Sequence, residues 1–193
     1  MKAVTKPEVV SFRLTGIAPL IMHSGRLSDP LDPATKAIKA VSSKRKKTED
    51  DLEELARLEW IGSLYAEDGV VGIPSDNIEA MLAESAKAQK MGKQFKAGVF
   101  CDGFYKLNYE GPKDFKELWE SGNFKLSTQV RVMSSRVIRT RPIFHSWSLD
   151  CSVSFFPQVV NKSSVIDAME HAGIFVGVGD WRPRYGRFVV EVL

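Results

Sequence analysis

A chain of 193 residues, 44% hydrophobic and 26% charged, is long enough to bury a sizeable core and has the make-up of a globular protein, not a disordered one. The net charge of +3 conceals a division: residues 1–47 hold ten Lys/Arg against three Asp/Glu, residues 48–86 one against eleven, and residues 125–193 nine against five, seven of the nine being arginine. No apolar run reaches membrane-span length, no secretory leader opens the chain, and Cys101 and Cys151 stand alone; a reduced, cytoplasmic protein is expected and a disulfide scaffold excluded.

Val9–Met22 alternates like a first strand, bent near Gly16 and Pro19, and His23 follows it directly. Residues 24–47 carry Pro30, Pro33 and the run Lys44-Arg45-Lys46-Lys47. Asp32-Pro33 predicts a short helix over Ala34–Val41, within an insertion read as a mobile basic arm. Thr48 before three acids starts a helix to about Tyr65, with Leu52, Leu55, Leu58, Ile61 and Leu64 inward. Ser75 caps a second helix, Asp76 to about Lys90, burying Ile78, Met81 and Leu82.

Val99–Tyr109 predicts strands broken near Gly103, and Lys113–Glu120 a short helix stopped at Gly122. Phe124–Val132 and Ser135–Thr140 are extended, with Arg141-Pro142 breaking the pattern. His145–Phe156 alternates as a half-buried strand, and a helix from Ser163 or Ser164 runs through His171. Ile174–Val178 and Phe188–Leu193 read as strands flanking the loop Gly179–Gly186. Intermixed strands and helices without βαβ alternation predict one α+β domain over residues 1–193, its helices packed on a mostly antiparallel sheet.

The sequence has no HExxH, no Cys-x-x-Cys, no Gly-x-Ser-x-Gly and no Gly-Lys-Ser/Thr, and Gly177-x-Gly179 meets Arg182 where a dinucleotide fingerprint needs glycine. No metal and no cofactor is therefore expected. Ser43-Lys44-Arg45-Lys46 spells Ser-x-x-Lys only formally, in a charged arm unsuited to a rigid nucleophile. His171 reads as a dipole partner at a helix end and His145 as a surface residue. His23 is the weak catalytic candidate, as a general acid or base.

The basic residues form a more coherent set. Arg131, Arg136, Arg139 and Arg141 lie in extended segments, the last two on one strand face. Arg182 and Arg184 interleave with Trp181 and Tyr185 in the terminal loop, with Arg187 just beyond it, and Gly177, Gly179 and Gly186 allow a close backbone approach. With Lys44, Arg45, Lys46 and Lys47 they make the candidate nucleic-acid surface. Cations track phosphates while rings stack on bases, a pairing suited to a single strand. The alternative is a plain hairpin with Trp181 and Tyr185 folded onto the core.

Two stretches resemble one family. Gly16-Ile17-Ala18-Pro19-Leu20-Ile21-Met22-His23, followed by an insertion, resembles the opening of CRISPR-associated RAMP proteins, and Gly177–Phe188 before a final strand is similar to that superfamily's glycine-rich loop. The chain also resembles bacteriophage-encoded proteins. The RAMP resemblance implies a ferredoxin-like (RRM-like) core and head-to-tail assembly of subunits along single-stranded RNA. It further implies that Gly177, Gly179, Arg182, Arg184 and Gly186 belong to the RNA-contacting loop, and that residues 24–47 are an inserted finger.

Three readings follow. The first is a non-enzymatic protein that binds single-stranded nucleic acid, RNA before DNA, as a homo-oligomer or as a subunit of a ribonucleoprotein. The second is a RAMP-like, metal-independent endoribonuclease using His23. The third is a protein-interaction module or inhibitor that presents the acidic helix 48–66 to a basic partner.

Overall fold

The computed structural model describes residues 6–132 and 135–193. Its strands are β1 (Glu8–Gly16), β2 (Leu20–Ile21), β3 (Ala66–Glu67), β4 (Val70–Pro74), β5 (Val99–Phe100), β6 (Phe104–Lys106), β7 (Lys125–Val132), β8 (Ser135–Phe144), β9 (Ser148–Phe155) and β10 (Phe188–Val192). The helices are α1 (Pro33–Ser42), α2 (Glu49–Ser63), α3 (Ser75–Ser85), α4 (Gly92–Gly98), α5 (Phe115–Glu120) and α6 (Lys162–His171). None of them is long and apolar enough to cross a membrane.

The central sheet has the order β10-β1-β9-β5, every neighbouring pair antiparallel. The chain passes from β1 to β5 through α3 and from β9 to β10 through α6. This β-α-β-β-α-β arrangement is the ferredoxin-like fold within an α+β architecture. Strand alternation explains the packing: Val10, Phe12 and Leu14 of β1 and Leu149, Cys151, Val153 and Phe155 of β9 point to one face and are buried there. Ile78, Met81 and Leu82 of α3 and Val165, Ala168 and Met169 of α6 close over them in one continuous core. Each large aliphatic side chain buried this way contributes about 1.5–3 kcal/mol.

The opposite face of this sheet is not basic. It carries Ser11 bonded to Ser152 at 2.9 Å, and Arg13 held by Asp150 through two hydrogen bonds of 2.8 and 2.9 Å. The arginine-bearing strands belong to a second sheet, β2-β8-β7, in which β7 and β8 pair from Lys125↔Pro142 to Val132↔Ser135. Helix α2 runs along β8, and α1 packs on α2.

Several boundaries differ from expectation. The first strand ends at Gly16 and resumes only as β2, because residues 17–19 turn the chain between two sheets. Arg141-Pro142 does not break its strand: β8 runs to Phe144, and the Pro142 carbonyl still accepts from the Met22 amide at 3.1 Å. Ile174–Val178 is no strand. Residues 172–176 form a wide π-helical turn continuing α6, and β10 pairs with β1 in place of a hairpin partner.

Helix α2 has the expected Thr48 cap, completed as a capping box by Asp51; Leu64 at its C-cap is buried as expected, but within the helix the buried side chains are Glu59, Trp60 and Ser63, while Leu52 is exposed. Pro74, not Ser75, occupies the N-cap of α3.

Candidate nucleic-acid interface

The two family-like stretches lie far apart in sequence and against each other in space. Amides of Ile17 and Ala18 donate to the Arg187 carbonyl, the Gly186 amide to Pro19, and the Asp180 amide to Ile21 at 2.9 Å. The terminal loop is thereby laid over the β1–β2 link. Two glycines are required for this crossing. Gly186 (φ +72°) and Gly179 (φ +84°) take left-handed backbone, and a Cβ at either would collide with a backbone carbonyl, of Val178 and Ile21 respectively. Gly177 (φ +75°) likewise stands against the Tyr185 carbonyl. The close approach expected of these glycines is made to their own chain.

Beside this crossing lies a cleft of about 500 Å³ between α1 and α2 on one side and β7, β8 and the loop on the other. Leu27, Ile38 and Val130 line it with apolar surface; His23, Arg139, Arg141 and Trp181 face it from three separate parts of the chain. β8 places Arg139 and Arg141 on one face, as the alternation predicts, but both cations have carboxylate partners. Arg139 donates to Glu59, a buried residue whose other oxygen accepts the Thr140 amide at 3.1 Å. Arg141 donates to Asp180, and its guanidinium lies 4.9 Å from the Trp181 ring centre. This pair ties β8 to the terminal loop, so Arg141 serves structure first.

His23 shares the cleft. Its Nδ1 is 3.3 Å from the Ser63 hydroxyl, and its carbonyl accepts the Tyr65 hydroxyl at 3.1 Å. Partial desolvation, followed by the nearby charge of Arg141, holds the imidazole below its ordinary value; Asp180 and Glu59 oppose this and Arg139 adds to it. This favours the neutral ring over the imidazolium. His171 is not simply a dipole partner: its Nδ1 lies 2.8 Å from the buried Ser85 hydroxyl and its ring against Phe175, linking α6 to α3. His145 is exposed.

The remaining cations are distributed around this centre. Arg131, which also lines the cleft, sits directly opposite Arg136 across β7 and β8, both exposed. Arg182, Arg184 and Arg187 are exposed on the loop, where Trp181 and Tyr185 are half-buried with ring centres 6.1 Å apart. Lys44, Arg45, Lys46 and Lys47 link α1 to α2 outside the cleft, Lys44 being paired with Asp51 at 2.5 Å.

Glu59 and Asp180, which neutralise Arg139 and Arg141, were not singled out by the residue pattern. An acid inside the leucine-rich stripe of α2 was the one signal available for Glu59. Phe175, 64% exposed beside the loop, was hidden by its reading as a strand residue.

No family model matches the chain, and no curated protein does. A solved Cas6 product complex is similar at 13% identity and a TM-score of 0.25, over 100% of this chain and 53% of that one. The chain thus spans about half the length of that protein, and its own strand order, not this likeness, carries the fold.

Proposed function

We propose that this protein binds single-stranded nucleic acid, RNA in the first place, along the β7–β8 hairpin and the terminal loop, and assembles as a multimer on it. The observation that carries the reading is the meeting of Arg131, Arg139, Arg141, Trp181 and His23 on one cleft, with Arg136 and Arg182 exposed on β8 and the terminal loop. Exposed guanidinium groups track phosphates, aromatic and guanidinium planes take unstacked bases, and the Ser63 and Thr35 hydroxyls in the cleft suit a 2′-hydroxyl. Arg139 and Arg141 are assigned to shaping the cleft, since their charge is largely balanced.

The test is anisotropy of a labelled single-stranded RNA titrated with the protein at rising salt. Binding should weaken with a log–log slope of about −0.7 per neutralised phosphate. Absence of salt-dependent binding to RNA and DNA by the folded protein overturns the reading.

A second reading rests on the position and neutral state of His23. An imidazole there accepts the 2′-hydroxyl proton as that oxygen attacks phosphorus; the P–O5′ bond breaks, the imidazolium so formed returns its proton through water to the departing 5′-oxygen, and a 2′,3′-cyclic phosphate remains. Among the described residues His23 is the one imidazole lining the cleft, which favours binding over cleavage. Incubation of end-labelled RNA in chelator decides it: cleavage abolished by His23→Ala supports the reading, and intact RNA ends it.

A further inference from the structure

Trp181 lines two concavities. One is the cleft already described; the other is a groove of about 470 Å³ on the far side of the loop, bounded by Phe175 and Val176 against Arg182 and Pro183. Each has a cation and apolar surface, Arg139 with Val130 in the cleft and Arg182 with Phe175 in the groove. The acids that line them are already engaged: Glu59 by Arg139, Asp180 by Arg141, and Glu84 by Lys87 at 2.6 Å.

The backbone at Trp181 strengthens the case. Its φ of +53° is left-handed, a conformation a bulky residue avoids, and glycines occupy comparable positions on both sides of it. The surroundings hold it there. The Asp180 amide bonds Ile21, its carboxylate bonds Arg141, the Tyr185 amide donates to the Trp181 carbonyl at 3.2 Å, and the Arg141 guanidinium covers the indole. Packing alone would be met at less strain by glycine or asparagine. Phe175 supplies the second anomaly, a mostly exposed aromatic ring carried on a π-helical turn, a feature frequent at functional sites.

We infer that Trp181 is a wedge separating two nucleotide subsites, so that the smallest unit recognised is two consecutive unpaired nucleotides. One base enters the cleft beside Arg139 and Val130, while its neighbour lies in the groove against Phe175. The strand bends around the indole edge. This rests on the single-strand reading and adds to it a footprint and a geometry.

The experiment measures affinity for oligouridylates of one to four nucleotides and for a 20-mer, with wild type, Trp181→Asn, Trp181→Phe and Phe175→Ser. Asparagine accepts left-handed backbone without a ring, so its variant should be at least as heat-stable as wild type. Wild type should gain about ten- to hundredfold from one to two nucleotides, and only a few-fold per residue beyond. Trp181→Asn should abolish that step, Trp181→Phe retain it, and Phe175→Ser reduce it about tenfold. Tight 20-mer binding with no step at two nucleotides, or an unaltered step in Trp181→Asn, overturns the wedge and leaves single-strand binding standing. Failure of every length, the 20-mer included, overturns both.

Discussion

Glu59 shows how one side chain can hold a site together. Its carboxylate is buried between the Arg139 guanidinium and the Thr140 amide, and removing it takes the acceptor from the Thr140 amide and the counter-charge from Arg139. Glu59→Ala should cost about 2–4 kcal/mol in urea unfolding, and Glu59→Gln less, since the amide still offers one acceptor. Equal stability of Glu59→Ala and wild type would refute this role. At His23 the folded imidazole titrates below its unfolded value of about 6.5, so the unfolded chain binds the proton more readily and stability falls as pH drops below that value. A phosphate in the cleft reverses the preference, and RNA affinity should rise over the same window. His23→Asn should flatten both profiles, measured by thermal melts and anisotropy between pH 7.5 and pH 5.0.

Among the elements, the β7–β8 pair is the one whose sequence works against its own pairing. Arg131 faces Arg136 across the two strands, and like charges in register destabilise a sheet by a few tenths of a kcal/mol or more. Arg136→Glu places opposite charges there, and should leave stability unchanged or raise it by up to about 1 kcal/mol. The same change should lower RNA affinity about tenfold and reduce the salt slope. Parallel loss of melting temperature and affinity would instead assign Arg136 to the fold. The hairpin was legible as two extended segments, since alternation shows in β-branched and basic residues alike. Its neighbour, the π-turn of residues 172–176, was not legible. Ile174, Phe175 and Val176 favour a strand locally, and the widening of α6 prevails because Gly173 must pass against Phe188 of β10, where a side chain would collide.

On the scale of the whole molecule, the ferredoxin-like core isolates its two thiols. Cys101 and Cys151 are buried on the core side, and desolvation pushes both up to about 12. Neither should react with a thiol reagent at pH 8 in the native protein, while both react in denaturant; rapid native labelling would show that the β5–β9 side of the sheet opens.

Periodicity determined the α+β class, the Thr48 cap, the core faces of β1, β9 and α3, and the pairing of arginines with aromatics in the loop. These are local properties, set by residues a few positions apart. Only the tertiary structure decided that Arg139 and Arg141 of β8 would be neutralised by Glu59 and Asp180, that the loop glycines would serve a chain crossing, and that Trp181 would line two hollows. Each depends on contacts between segments dozens of residues apart, and a partner's distance in space leaves no trace in the spacing of the residues around it.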